Sequence, residues 1–209
     1  MKVGKQTAYF LILGSILGLL GWLALIPLMD GMDGGTDQEM IAGITEDYDI
    51  AVLFMPMLMI AFTAMIVGWR SVASSLGQDS IWINSANLLL IIALGTGVAG
   101  TGLMIGSGSP GLFNETVALA LWSSSEAIDL ISGVFLLLGL AIIGIVSLQK
   151  TSGDRILQIL YAILVIGSVI GIANYLINGQ GETDLEPIPY LCLLVASVGI
   201  GIKSLRTND

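Results

Sequence analysis

The sequence predicts an all-α, polytopic transmembrane bundle of six spans, and three observations carry that expectation. The first is composition. The 209-residue chain is 55% hydrophobic and only 11% charged, with a mean hydropathy of +0.92, whereas a soluble domain carries roughly a quarter charged residues. A soluble chain this apolar would expose large greasy patches; in a bilayer the same surface faces lipid. The second is run length. A spanning helix needs about 20 mostly apolar residues, because the hydrocarbon core is about 30 Å thick and a helical residue rises about 1.5 Å. Six runs qualify: 8–29, 50–69, 81–105, 127–148, 156–177 and 185–202. None alternates strictly, so helices rather than barrel strands are expected to satisfy the backbone.

The third observation is charge. With the N-terminus inside, the inner segments hold Lys2, Lys5, Arg70, Lys150, Arg155, Lys203 and Arg206, which is every basic residue in the chain. Asp79, Asp154 and Asp209 accompany them, and all other acids fall in the outer segments or at the start of the fourth span. The loops are short, so the positive-inside rule sets an N-in, C-in arrangement in a multi-pass protein of the cell membrane. Aromatic residues agree: Tyr9, Trp69, Trp82 and Tyr161 fall toward the inner interface, and Tyr48, Trp122, Tyr175 and Tyr190 toward the outer one.

Each element has local signals. The first run follows Lys2 and Lys5 as a signal peptide would, but about 22 apolar residues exceed the usual h-region of roughly 7–15, and no small-x-small cleavage site follows. It reads as a retained helix. Thr36-Asp37-Gln38-Glu39 is a capping box for a short surface helix in the first outer loop. Gly106-Ser107-Gly108-Ser109-Pro110-Gly111 ends the third span. The apolar stretch 112–122, with Asn114 and Glu115 embedded, is too short to span. It is expected to lie on the outer surface as a separate interfacial helix, with a re-entrant segment as the alternative. Ser123-Ser124-Ser125-Glu126 would then cap the fourth span and Thr183-Asp184-Leu185-Glu186 the sixth, with Pro187 in its first turn. Asn114-Glu115-Thr116 also matches a glycosylation acceptor.

Helices in lipid come close where residues are small. Gly14 and Gly18 form a GxxxG pair in the first span and Gly167 and Gly171 in the fifth; Gly95, Gly97, Gly100 and Gly102 crowd the third. Gly-Ser pairs at 14–15 and 167–168, with Pro56, Gly68, Arg70 and Ser71 matching Pro189, Gly201, Lys203 and Ser204 in spacing, suggest that the first and last hairpins are related.

An ionisable group at membrane depth is a functional candidate by default. Asp129, with Glu126 one helical turn before it, is the strongest such candidate. The competing structural role is to complement the dipole of a helix start. Asn174 in the fifth span and Asn87 in the third, paired with Asn84, are candidate solute or ion ligands, or else interhelical hydrogen-bonding amides. The loop from Asp30 to Glu39 lacks the spacing of a calcium loop. Met55, Met57 and Met59 do not share a helical face and read as filler. The chain has no histidine and a single cysteine, Cys192, and no span contains a lysine. The lack of histidine argues against His-held haem, copper and di-iron centres and His-ligated zinc, the single cysteine excludes an internal disulfide, and the lack of an intramembrane lysine excludes a retinal Schiff base. No cofactor or catalytic motif is legible, and an acidic membrane chain is a poor fit to nucleic acid. The expected partners are the lipid bilayer and either a second copy or another membrane protein. Two functional classes remain: a small permease or channel-like protein for a cation or neutral solute, and an accessory or structural subunit of a membrane complex.

Overall fold

The apolar runs form helices in the computed structural model, which describes residues 4–25, 36–77, 80–111, 114–151, 153–178 and 187–206. The helices are α1 (Lys5–Leu25), α2 (Asp37–Glu46), α3 (Tyr48–Ser75), α4 (Ile81–Ser107), α5 (Glu115–Lys150), α6 (Arg155–Asn178) and α7 (Pro187–Arg206), with no strand among the described residues. Five of them, α3 to α7, are long and apolar enough to cross a membrane, and α1 is apolar over Lys5–Gly21. The chain is thus an all-helical bundle with membrane-spanning character.

Each long helix packs antiparallel on the next, and α7 returns to α1, so the six close into a ring. Small residues place the contacts. A Cβ on Gly14 would sit 2.5 Å from the Met65 amide nitrogen and 2.8 Å from the Ala61 carbonyl oxygen, so α1 and α3 touch backbone to backbone. Gly68 of α3 lies against Leu11 of α1. On the other flank of α1, Gly201 of α7 lies against Ile12 and the Ala8 carbonyl. Gly139 packs α5 onto Ala86 and Leu90 of α4, and Gly144 packs α5 onto Val165 and Tyr161 of α6. Gly167 meets Cys192, and Gly171 meets Pro189 and Leu137. Gly18 has no atom within 4 Å of such a Cβ, so only half of the first GxxxG pair is used within the bundle. The two hairpins also differ in register. Gly14 meets Ala61 and Met65, whose counterparts by sequence spacing would be Leu194 and Val198, whereas Gly167 meets Cys192. Their shared residues therefore do not make shared contacts.

The interior is apolar around Trp69, Leu90, Leu140, Ile143, Tyr161 and Leu164. Trp69 and Tyr161 are both 0% exposed. Of the four aromatic residues expected at the inner interface, Tyr9 and Trp82 are exposed, whereas Trp69 and Tyr161 are not. A buried indole needs an acceptor, and Trp69 Nε1 donates to Ser197 Oγ of α7 at 2.9 Å. Trp122, expected at the outer interface, is also buried, in a second cluster with Ile44, Ala51 and Met55.

That cluster belongs to a cap at one end of the bundle. Thr36 and Glu39 form the expected capping box of α2, with Thr36 N donating to Glu39 Oε2 at 2.7 Å. The bond holds the exposed Glu39 carboxyl below its usual range. Ile44 seats α2 against Gly108 at the end of α4. The separate interfacial helix over 112–122 is not what forms. Residues 115–150 make one helix of 36 residues, about 54 Å long, which exceeds the hydrocarbon core by several turns. No glycine or proline interrupts it before Gly133. The serines expected to cap the fourth span bond back within the helix instead: Ser124 Oγ to the Ala120 carbonyl and Ser125 Oγ to the Trp122 carbonyl. The true cap is Asn114, whose Oδ1 accepts from the amides of Thr116 and Val117. Pro187 opens α7 as expected. The capping box at 183–186, the calcium-like loop at 30–35 and Lys2 lie outside the described residues.

The opposite end gathers the bases. Lys5 starts α1, Arg70 lies in the last turns of α3, Lys150 ends α5, Arg155 starts α6, and Lys203 and Arg206 close α7. Lys150 Nζ donates to the Leu76 carbonyl, tying two loops together. Both loops turn at glycines of positive φ, Gly77 (117°) and Gly153 (107°). Asp154 caps α6 by accepting from the Leu157 amide at 3.2 Å, and pairs with Lys203 of α7 at 3.2 Å.

Replacing Gly14 by Leu should lower the stability of the bundle by at least about 2 kcal/mol, because backbone cannot move aside as a side chain can. Gly18→Leu should stay within about 0.5 kcal/mol. Midpoints of unfolding in a denaturing detergent separate the two. The Leu157 amide and Lys203 hold the Asp154 carboxyl below its ordinary value of 3.8. Its contribution is therefore complete above that value and lost as pH falls through the depressed folded value. Between about pH 5 and pH 3 the wild type should lose more stability than Asp154→Asn.

Candidate functional site

The four candidate polar residues, Asp129, Glu126, Asn174 and Asn87, have different surroundings in the bundle. Asp129 lies on α5 at the level of Gly100 on α4. A Cβ on Gly100 would collide with Asp129 Oδ1, so the carboxylate occupies the space a side chain would fill. One turn on, a Cβ on Gly97 would sit 3.1 Å from Ser132 Oγ, and that hydroxyl donates to the Ala93 carbonyl at 2.7 Å. Gly97 and Gly100 on one helix thus face Ser132 and Asp129 on the other, each pair three residues apart. The result is a polar seam inside the α4–α5 interface.

The electrostatics of the seam are one-sided. Every described basic residue lies at the far end of the bundle. Among the described residues, the ion pair formed is Lys203 with Asp154, and no basic side chain pairs with Asp129. The carboxylate is half-buried against helix backbone, and a charge removed from water needs a counter-charge or a proton.

Glu126 is half-buried one turn nearer the acidic cap. The charge acting on it is the acidic Asp37 at the start of α2, so acid faces acid across the cap. Asn174 is buried on α6 and its Oδ1 accepts from Asn178 Nδ2 at 3.0 Å. Beside it, the Tyr175 ring packs on Gly133 of α5, and its hydroxyl meets that of Tyr190 at 2.8 Å. Asp129 therefore faces α4, while the Asn174–Tyr175 turn belongs to the interface of α6 with α5 and α7. Asn87 lies thirteen residues before Gly100 on α4, about 20 Å away along the axis. Its Oδ1 is buried without a hydrogen-bond partner. It belongs to the basic half of the bundle, apart from Asp129.

The residues that sequence reasoning did not assign to the site are Gly100, Gly97 and Ser132. A signal existed: a small pair and a polar pair, both spaced by three, on consecutive antiparallel helices. What was absent was the register that sets one pair opposite the other.

These features define the class as a helical-bundle integral membrane protein. No protein-family model, curated protein or solved structure matches the chain, so the reading of function rests on the seam itself.

Replacing Gly100 by Ala should displace the Asp129 carboxylate at a cost of about 1–2 kcal/mol. The cost should vanish in an Asp129→Ala background, giving a coupling of similar size in a double-mutant cycle of unfolding free energies. Gly95→Ala, whose Cβ meets open space, should be silent in both backgrounds.

Proposed function

We propose that this is a six-span protein of the cell membrane, with both ends on the cytoplasmic side, that conducts or exchanges a proton or small cation through a site at Asp129. The observation that carries the reading is the Asp129 carboxylate, seated on Gly100 in an interhelical seam with no described basic partner. Such a group is compensated by a proton or a cation, and intramembrane carboxylates mark ion and proton routes. The sidedness follows from the segregation of charge, with lysine and arginine at the cytoplasmic face. In this arrangement α1 is the sixth span, and α2 with the first turns of α5 stands beyond the outer edge of the hydrocarbon. The acidic cap, which includes Asp37, Glu39, Glu46, Asp47, Asp49 and Glu115, then concentrates cations above the seam within about a Debye length of 10 Å. Glu126 lies between cap and seam, where it can pass a cation or proton to Asp129. Asn174 and Asn87 stand outside this route.

The second reading is an accessory subunit held to a second copy or another membrane protein by small-residue faces. Its specific support is that Gly18, Gly95 and Gly102 would place a Cβ in open space, and that Gly95 and Gly102 are exposed. Gly14, Gly167 and Gly171 are inside the bundle, so replacing them would disturb the fold itself and would not probe a partner.

In liposomes of purified protein, Asp129→Asn should abolish proton or cation flux while leaving the unfolding midpoint within about 0.5 kcal/mol of wild type. Asp129→Glu should retain measurable flux. Unchanged flux in Asp129→Asn would remove the permease reading. If Gly95→Leu or Gly102→Leu instead released a stoichiometric partner from the detergent-extracted complex, the accessory reading would take its place.

A further inference from the structure

We propose that a groove at the basic end of the bundle, between the end of α5 and the start of α6, is a binding site for one anionic phospholipid. The groove is shallow and open along one side, with a volume of about 550 Å³, and is lined by Leu148, Arg155, Gln158, Ile159 and Ala162. The four residues from α6 are spaced by three, four and seven, so they share one face of that helix. Their order along the axis is the order of parts in a phospholipid. Arg155 is exposed in the first turn, Gln158 stands beside it, and Ala162 lies about 10 Å deeper. Ile159, Ala162 and Leu148 form an apolar floor for the upper part of an acyl chain. Arg155 and Gln158 supply donors at the depth of a phosphodiester, and a guanidinium fits phosphate oxygens with two parallel bonds.

Charge complementarity selects an anionic headgroup. The neighbouring bases are committed elsewhere: Lys150 donates to the Leu76 carbonyl, and Lys203 pairs with Asp154. That pairing also offsets the Asp154 carboxylate, the acidic charge next to Arg155 in sequence. Arg155 has no described ion-pair partner. The inference uses only the spanning character of the bundle and is independent of Asp129.

The test is native mass spectrometry of the protein released from bilayer discs of equal parts phosphatidylglycerol and phosphatidylcholine. One phosphatidylglycerol per chain should be retained in preference to phosphatidylcholine. Arg155→Ala should lower that retention roughly fivefold, the effect of one interfacial basic residue on an anionic lipid. Arg70→Ala, an exposed base at the same end on α3, should leave it unchanged, as should Asp129→Asn. Gln158→Leu reads the same groove if Arg155→Ala fails to fold, and should also lower retention. Equal retention of the two lipids would overturn the proposal. So would an Arg70→Ala loss as large as that of Arg155→Ala, which would mean diffuse surface charge. Displacement of the lipid by inorganic phosphate would overturn it in favour of a free-anion site.

Discussion

The bundle depends on how closely α1 can approach its two neighbours. Between helices in lipid there is no water to expel, so cohesion comes from packing and from the few hydrogen bonds that close contact allows. Gly14 brings α1 onto the backbone of α3, and Gly201 brings α7 onto α1 from the other side. With both in place the ring closes and the Trp69 indole reaches Ser197 across it. The buried bond is possible because α3 and α7 are both held against the same helix. The central apolar cluster then fills the space the ring encloses.

The two ends of the ring are chemically opposite. At one end the loops are short, turn through Gly77 and Gly153, and are fastened by Lys150 and by the Lys203–Asp154 pair. At the other, α2 and the extension of α5 pack around Trp122 and carry carboxylates. Asp129 lies just inside the acidic end and Arg155 at the edge of the basic one. Asp129 and the proposed lipid groove thus lie toward opposite ends of the bundle, and the charge around each follows from the bases being collected at a single end.

Much of this was legible in the sequence, and what was not has a physical reason. The apolar runs located every long helix because each is an unbroken hydrophobic stretch, while the extra length of α5 did not follow from them. The Thr36–Glu39 box located α2 because capping is local. The triple serine before Glu126 misled because a serine hydroxyl serves equally as a cap or as a bond back along a helix, and only the surroundings decide. Trp69 and Tyr161 misled because position along a span gives depth but not face, and both face inward. Asp129 was legible as a candidate from its charge alone. Its seat on Gly100 was not, because that is a property of register between two helices. Asn174 and Asn87 were legible as polar residues in apolar helices, and nothing in one chain's pattern could separate them from the seam.

Closure of the ring through α1 and α7 has a consequence for biosynthesis. The ribosome makes α1 long before α7, so the flank of α1 around Ala8 and Ile12 is made without its final neighbour. Contacts between segments so distant in the chain form late and slowly. The intermediate carries an open seam that a second nascent molecule could occupy with its own α7, giving an exchanged dimer in place of a closed monomer. The close approach at Gly201 is therefore the contact on which completion of the ring within a single chain depends.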